Sequence, residues 1–151
     1  MDFKKAPLLI LFILLFAAGL QAQTKHKAKA PVKHSAAGLK ASIAAGQKVF
    51  TQYCVSCHQA DGLGVPHMNP PLVNTTYVLG DKIKLIKIIL NGFNEDVEIN
   101  GETYSNTMAS HDFLKDQEIA NVLTFVRNSF GNKAPAITLA QVKAVRAGNK
   151  K

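Results

Sequence analysis

The sequence predicts a small all-α domain of three to five helices, with one short β-hairpin near residues 97–104. Small or apolar residues recur at helical spacing in three separate segments, 43–54, 82–90 and 119–130. Strands and helices do not alternate in the way that builds a parallel sheet. The chain has 151 residues, which is enough for one domain of ordinary size.

The first helix is predicted over residues 43–52, with Ser42 as its N-cap, because a serine side chain can accept a bond from the first free N–H groups. Gly46, Phe50 and Cys54 follow one another at intervals of four and therefore share a face. A glycine inside a helix costs about 1 kcal/mol relative to alanine. We therefore expect another helix to approach closely at Gly46.

The second helix is predicted over residues 82–90, with Ile83, Ile86 and Leu90 on its apolar side and Gly92 at its C-terminal cap. Residues 97–104 then alternate around Asn100-Gly101, which is the strongest short-range signal for a hairpin. The last core helix is predicted to end at Gly131. Its apolar stripe has the spacing i, i+3, i+4, i+7, i+11 and consists of Ile119, Val122, Leu123, Val126 and Phe130.

Both cysteines of the chain lie in one pentad, Cys54-Val55-Ser56-Cys57-His58. The pattern C-x-x-C-H is typical of a covalent attachment site for c-type haem. On a helical turn Cys54 and Cys57 face one side, where both thiols can form thioethers to the vinyl groups of a haem. His58 is then carried under the ring and can bind the iron. The pentad predicts one covalently attached haem c.

Three other interpretations of the pentad remain as alternatives. A structural zinc site needs four ligands, and the sequence contains neither a second C-x-x-C nor an H-x3–5-H pair. A redox-active dithiol would normally stand near a βαβ pattern. A disulfide between residues three apart would close a very small loop and stabilise the chain little.

The N-terminus predicts export. A short basic end is followed by an apolar run from Leu8 to Leu20, and thirteen residues are too few for a bilayer span of about 20. Residues 1–22 are predicted to be a signal peptide that is cleaved after Ala22, which places the protein in the periplasm or otherwise outside the cytoplasm. An uncleaved membrane anchor is the alternative.

The net charge of +8 is unevenly distributed. Residues 43–131 carry nine acidic and six basic residues, whereas residues 23–42 and 132–151 each carry five basic residues and no acidic one. A basic face for nucleic acid is therefore not expected. We predict a flexible basic linker at 23–41, a domain at 42–132 and a basic C-terminal extension at 133–151, in which Thr138 caps a short helix. The basic ends leave peripheral membrane association open.

The iron needs a second axial ligand, and the proximal histidine needs an acceptor for its other N–H. The proline-rich loop after His58 can offer a backbone carbonyl as this acceptor. We predict that the carbonyl is that of Pro70. Met108 lies in an aperiodic stretch fifty residues beyond His58, from which a loop can reach the opposite side of a haem. Met68 is predicted to contact only the loop or the haem edge. His111 is a rival ligand.

The segment 44–132 resembles class I bacterial cytochromes c, of the small monohaem type found as subunits of oxidases and dehydrogenases. The resemblance is carried in order by the following features: Gly46 and Phe50 before the pentad, Gly62-Leu63-Gly64, Pro70-Pro71-Leu72, Leu90-Asn91-Gly92, Tyr104 to Met108, and Leu123 to Asn132.

The resemblance implies helices packed around one covalent haem, His58 and Met108 as axial ligands, and electron transfer without enzymatic activity. Redox partners would be a dehydrogenase or a terminal oxidase, and we expect a monomer. Two alternatives remain open. Without Met108 on the iron, the protein would be a haem sensor or a peroxidase-like enzyme; it could also be a permanently docked subunit of a dehydrogenase or oxidase.

Overall fold

The computed structural model describes residues 35–149. The predicted signal peptide and most of the predicted linker lie outside the described residues. The described part contains six helices and one two-stranded antiparallel sheet: α1 (Ala36–Tyr53), α2 (Val55–His58), α3 (Thr76–Leu79), α4 (Lys82–Asn91), β1 (Val97–Ile99), β2 (Glu102–Tyr104), α5 (Asp116–Val126) and α6 (Leu139–Gly148).

The predicted fold class is confirmed: the described residues are mainly helical, and the single sheet is the predicted hairpin. The strands pair Val97 with Tyr104 and Ile99 with Glu102. Asn100 and Gly101 both have positive φ, 55° and 84°, as the turn of a tight hairpin requires. The helix count exceeds the predicted three to five because α2 and α3 are single turns of four residues each. None of the helices within residues 35–149 is long and apolar enough to cross a membrane.

Helix α1 begins six residues before the predicted cap, so the prediction for Ser42 was wrong. Ser35 is the N-cap, and its hydroxyl accepts a bond from the N–H of Gly38 at 3.1 Å. Ser42 lies inside the helix and donates its hydroxyl to Asn121 on α5 at 2.8 Å. The first turns are rich in alanine, which favours a helix without producing an apolar stripe. The predicted boundary at residues 41 and 42 consequently falls within α1.

Helices α1 and α5 cross in direct backbone contact at Gly46. A Cβ atom at this position would lie 2.0 Å from the backbone oxygen of Asn121 and 2.7 Å from the Cβ of Phe125. The close approach predicted for Gly46 is therefore confirmed. Three aromatic rings fill the crossing, since Phe50, Phe125 and Phe130 have centroids 5.3–5.5 Å apart.

Helix α5 ends at Val126, four residues before Phe130, the last residue of the predicted apolar stripe. Phe130 has a positive φ of 57° and is not helical, although its ring still packs on Phe50. Asparagine side chains replace the helical N–H donors here: Asn128 donates to the carbonyl of Thr124 at 2.9 Å, and Asn132 donates to that of Val126 at 2.8 Å. Side-chain bonds of this kind compete with helix continuation.

Helix α4 is one residue longer than predicted, and its apolar face differs from the predicted one at Ile83. Its buried residues are Leu85, Ile86, Ile89 and Leu90, whereas Ile83 is 56% exposed. The prediction that Ile83 belongs to the apolar side of the helix was therefore wrong, because the buried stripe begins only at Leu85.

Helix α6 packs on α4 and α5. The predicted cap is confirmed, because the hydroxyl of Thr138 accepts a bond from the N–H of Gln141 at 3.2 Å. Val142 is fully buried, and Asn149 exchanges side-chain bonds with Asn91 at the end of α4. Residues 133–149 of the C-terminal extension are thus part of the folded domain.

Candidate functional site

The pentad lies where the first long helix ends. Cys54 is both the C-cap of α1 and the N-cap of α2. Its carbonyl accepts bonds from the N–H groups of Cys57 and His58 at 3.2 and 3.0 Å. The predicted helical turn therefore exists. Cys54 is partly buried and Cys57 is exposed.

His58 is oriented by the loop that follows it. Its Nδ1 lies 3.1 Å from the carbonyl oxygen of Pro70. A carbonyl can only accept, so Nδ1 carries the proton and Nε2 is left with its lone pair in the neutral ring. The loop is tight, because a Cβ at Gly64 would lie 2.2 Å from the carbonyl oxygen of Asn69. A side chain at Gly64 would displace the backbone that holds the histidine.

The electrostatics of the pentad favour a neutral imidazole at His58 and a protonated thiol at Cys54. Burial lowers the pKa of His58; His111 lowers it further, and the bond to Pro70 works against this shift. Burial, with a smaller effect of Cys57, raises the pKa of Cys54 to about 11. A neutral imidazole is the form that binds a metal. A redox-active dithiol depends on a lowered thiol pKa, so the raised value speaks against that alternative.

The pentad opens into an apolar cavity of about 350 Å³. The wall comes from helices α1 to α5, the hairpin and the loops between them, and it includes Phe50, Leu85, Val122 and Val126. The predicted site residues Cys54, Cys57, His58, Pro70 and Met108 all contribute to this one wall. The thiols of Cys54 and Cys57, the imidazole of His58 and the thioether of Met108 are the groups that would hold a covalently bound haem in this apolar cavity.

Met108 reaches the cavity from a loop that the end of α4 supports. It forms a two-way backbone bridge with Phe93, with N···O distances of 2.7 and 2.9 Å. Gly92 makes this approach possible, since a Cβ there would lie 2.4 Å from the carbonyl oxygen of Met108. The sequence identified Gly92 only as a helix cap. No sequence signal indicates its contact with a loop sixteen residues away.

The two other candidate ligands have different surroundings. Met68 is 53% exposed and does not contribute to the cavity wall. His111 does contribute to the wall, and its Nδ1 lies 2.9 Å from the carbonyl oxygen of Ala109. His111 is therefore close enough to the site to remain a rival of Met108.

A contact between the two loops was missed at the level of sequence. Asn106, two residues before Met108, donates its side-chain amide to Asn69 at 2.8 Å and its backbone N–H to Met68 at 3.2 Å. The loop after His58 and the loop that carries Met108 are thereby joined. Neither asparagine belongs to a recognisable pattern, so only the folded structure indicates this contact.

A zinc site receives no support. Within residues 35–149 there is no group of three or more His, Cys, Asp or Glu side chains that could hold a metal ion. The βαβ pattern that would accompany a redox-active dithiol is also missing from the described residues. There the turn of the pentad follows a long helix, and no strands are parallel.

Comparison with known proteins gives one matching family and several relatives. The family model named Cytochrome c matches residues 43–130. A cytochrome c-552 of Thermus thermophilus is 34% identical over 119 residues, which cover 73% of this chain and 80% of that protein. The cytochrome c subunit of a quinone-dependent alcohol dehydrogenase from Gluconacetobacter polyoxogenes is 34% identical over 74% of this chain and 24% of its own length. A fructose dehydrogenase cytochrome subunit from Gluconobacter japonicus is 34% identical over 70% of this chain and 22% of its own length.

Proposed function

The chain belongs to the cytochrome c family, and from this premise we propose that it is an exported carrier of single electrons whose haem iron is held by His58 and Met108. Family membership implies covalently bound haem c and electron transfer. The proposal goes further in naming the ligands, the location and the partners. The observation that carries it is that His58, whose Nδ1 faces the Pro70 carbonyl, and Met108 both contribute to the wall of one apolar cavity.

Each residue has a defined part in this proposal. Cys54 and Cys57 hold the haem through thioether bonds, and the Pro70 carbonyl holds His58 in the orientation and tautomer that bind iron. Met108 would supply the second protein ligand of the iron, so that the haem would carry electrons without binding a substrate. When bound, the haem supplies a one-electron couple between Fe(III) and Fe(II). The apolar wall keeps water away and, with a methionine ligand, raises the potential.

The partners that we propose are redox proteins. The dehydrogenase subunits among the relatives are cytochromes, so a dehydrogenase is the favoured electron donor and a terminal oxidase the acceptor. The chain spans 80% of the cytochrome c-552 and about a quarter of the dehydrogenase subunits. The carrier that we propose is monomeric, and a permanently docked subunit is the alternative. Cell fractionation and size-exclusion chromatography test the location and the monomer.

The main test is the optical spectrum of the protein from cells that mature c-type haem. We expect ferric protein to show the weak red absorption band of methionine-ligated haem, and ferrous protein to be unchanged by carbon monoxide. Ready binding of carbon monoxide would contradict ligation by Met108 and would favour the sensor or peroxidase-like alternative. A colourless protein from the same cells would contradict haem attachment itself.

The cysteines provide a second prediction. We expect Cys54→Ser with Cys57→Ser to abolish haem that survives denaturing electrophoresis, because thioether bonds alone resist unfolding. Each single variant should retain one bond and therefore a covalent haem in lower yield. Ser56→Ala, inside the same turn, is the matched control and should be fully loaded. Covalent haem in the double variant would mean that attachment occurs elsewhere.

A further inference from the structure

Arg146 on α6 binds one short stretch of chain with all three of its nitrogen atoms. Its Nε lies 2.5 Å from Oδ1 of Asp116, its Nη1 donates to the carbonyl of Asp112 at 2.9 Å, and its Nη2 donates to that of Leu114 at 2.7 Å. The rigid fork of a guanidinium suits such multiple contacts, which a lysine cannot reproduce. One side chain thus holds residues 112–116.

This stretch is the direct continuation of the loop that carries Met108. The N–H of Asp112 donates to the hydroxyl of Ser110 at 3.3 Å, and that hydroxyl donates to the carbonyl of Leu90 at 2.7 Å. The N–H of His111 donates to the carbonyl of Ile89 at 2.8 Å. The methionine loop is therefore attached to the end of α4 on one side, while the chain that follows it is attached to α6.

Helix α6 is a firm support, because it is fixed to the domain without the help of Arg146. Val142 is fully buried, and Ile137, just before the helix, is 1% exposed and exchanges two bonds with the hydroxyl of Thr124. The Asn149–Asn91 pair fastens its far end. Ile137, Val142 and Asn149, which make these contacts, lie beyond residues 43–130, the part that the family model matches.

We propose that Arg146 is a positioning residue for Met108, and that α6 thereby limits how often the methionine leaves the iron. The proposal rests on Met108 being the ligand, as proposed above. For the thioether to move away, the loop must adopt additional conformations. The loop is tied before Met108 by the bonds of Asn106 to Met68 and Asn69, and after it by residues 110–116, and a segment tied at both ends has fewer conformations. The side chains of Arg146 and Asp116 are 33% and 23% exposed, so their charge attraction alone contributes little. The fork of hydrogen bonds to backbone carbonyls is what restrains the loop.

Imidazole, an external ligand that competes with methionine for ferric iron, provides the test. We expect Arg146→Ala to bind imidazole roughly tenfold more tightly than the wild type, the factor that loss of about one charged hydrogen bond produces. Arg146→Lys should fall between the two, because it keeps the charge and loses the fork. Lys143→Ala is the matched control, since Lys143 is an exposed cation on the same helix. Denaturation followed by circular dichroism establishes that each variant is folded during the titration.

The outcomes separate this inference from the proposed function. A wild type with the red methionine band and an Arg146→Ala variant with unchanged imidazole affinity would overturn the role of Arg146 and leave Met108 as the ligand. A wild type without that band would overturn ligation by Met108 and this inference with it. If Arg146→Ala does not fold, Arg146→Lys carries the test and should tighten imidazole binding. Asp116→Asn, which leaves the bonds of Arg146 to the carbonyls of Asp112 and Leu114 in place, should change the affinity little.

Discussion

Met108→Ala is expected to turn an iron centre that ignores carbon monoxide into one that binds it. The loop around Met108 is fixed by the bridge to Phe93 and by the Ser110 bond to α4, so shortening the side chain removes the proposed ligand without displacing the backbone. Suppose that the form with methionine off the iron makes up about 1% of the wild-type protein. Replacing Met108 by alanine then makes the whole population able to bind carbon monoxide, and the apparent affinity rises about a hundredfold. The reduction potential should fall at the same time, because methionine ligation raises it.

Two variants complete this experiment. Met68→Ala is the matched control, since its side chain is exposed and outside the cavity wall, and it should retain the wild-type spectrum. His111→Ala should also retain the methionine band. A Met108→Ala protein that still ignores carbon monoxide would show that another side chain reaches the iron. His111 would then be the ligand, and the double variant Met108→Ala with His111→Ala should bind carbon monoxide.

The local parts of the site could be predicted because they depend on neighbours in sequence. The turn of the pentad places Cys57 and His58 through backbone bonds to Cys54, and the distance from His58 to Pro70 is only twelve residues. Met108 was chosen because it lies in an aperiodic loop far from His58, as the resemblance also implies, and its binding to iron stays a prediction.

The parts that could not be predicted depend on contacts between distant residues of ordinary type. Arg146 looks like one more basic residue of a charged tail until the fold places it beside Asp116. Phe130 has the spacing of a helical core residue, and it fills that space although the helix ends four residues earlier. Ile83 is apolar, yet no element covers it enough to bury it. Periodicity reports which residues are apolar, and the tertiary contacts decide which of them are covered.

Gly46→Ala is expected to lower the free energy of unfolding of the haem-loaded protein by about 3 kcal/mol or more, the upper range for overpacking a tight core. Helix propensity alone favours alanine by about 1 kcal/mol, so the sign is decided by the contact. A Cβ at Gly46 would lie 2.0 Å from the Asn121 oxygen and 2.5 Å from its carbonyl carbon. These are backbone atoms that cannot turn aside as a flexible side chain can, so α1 and α5 must separate.

The separation should also affect the haem site, because α1 carries Phe50 and Cys54 while α5 carries Val122 and Val126, all in the cavity wall. Guanidinium denaturation followed by circular dichroism measures the loss of stability, and the red methionine band should disappear at a lower denaturant concentration than in the wild type. Gly38→Ala is the matched control on the same helix, because its Cβ would meet only the hydroxyl of Ser35, at 3.2 Å. It should leave the midpoint unchanged or raise it. An unchanged midpoint for Gly46→Ala would mean that the two helices do not cross in contact, and the arrangement of the cavity derived from that crossing would be wrong.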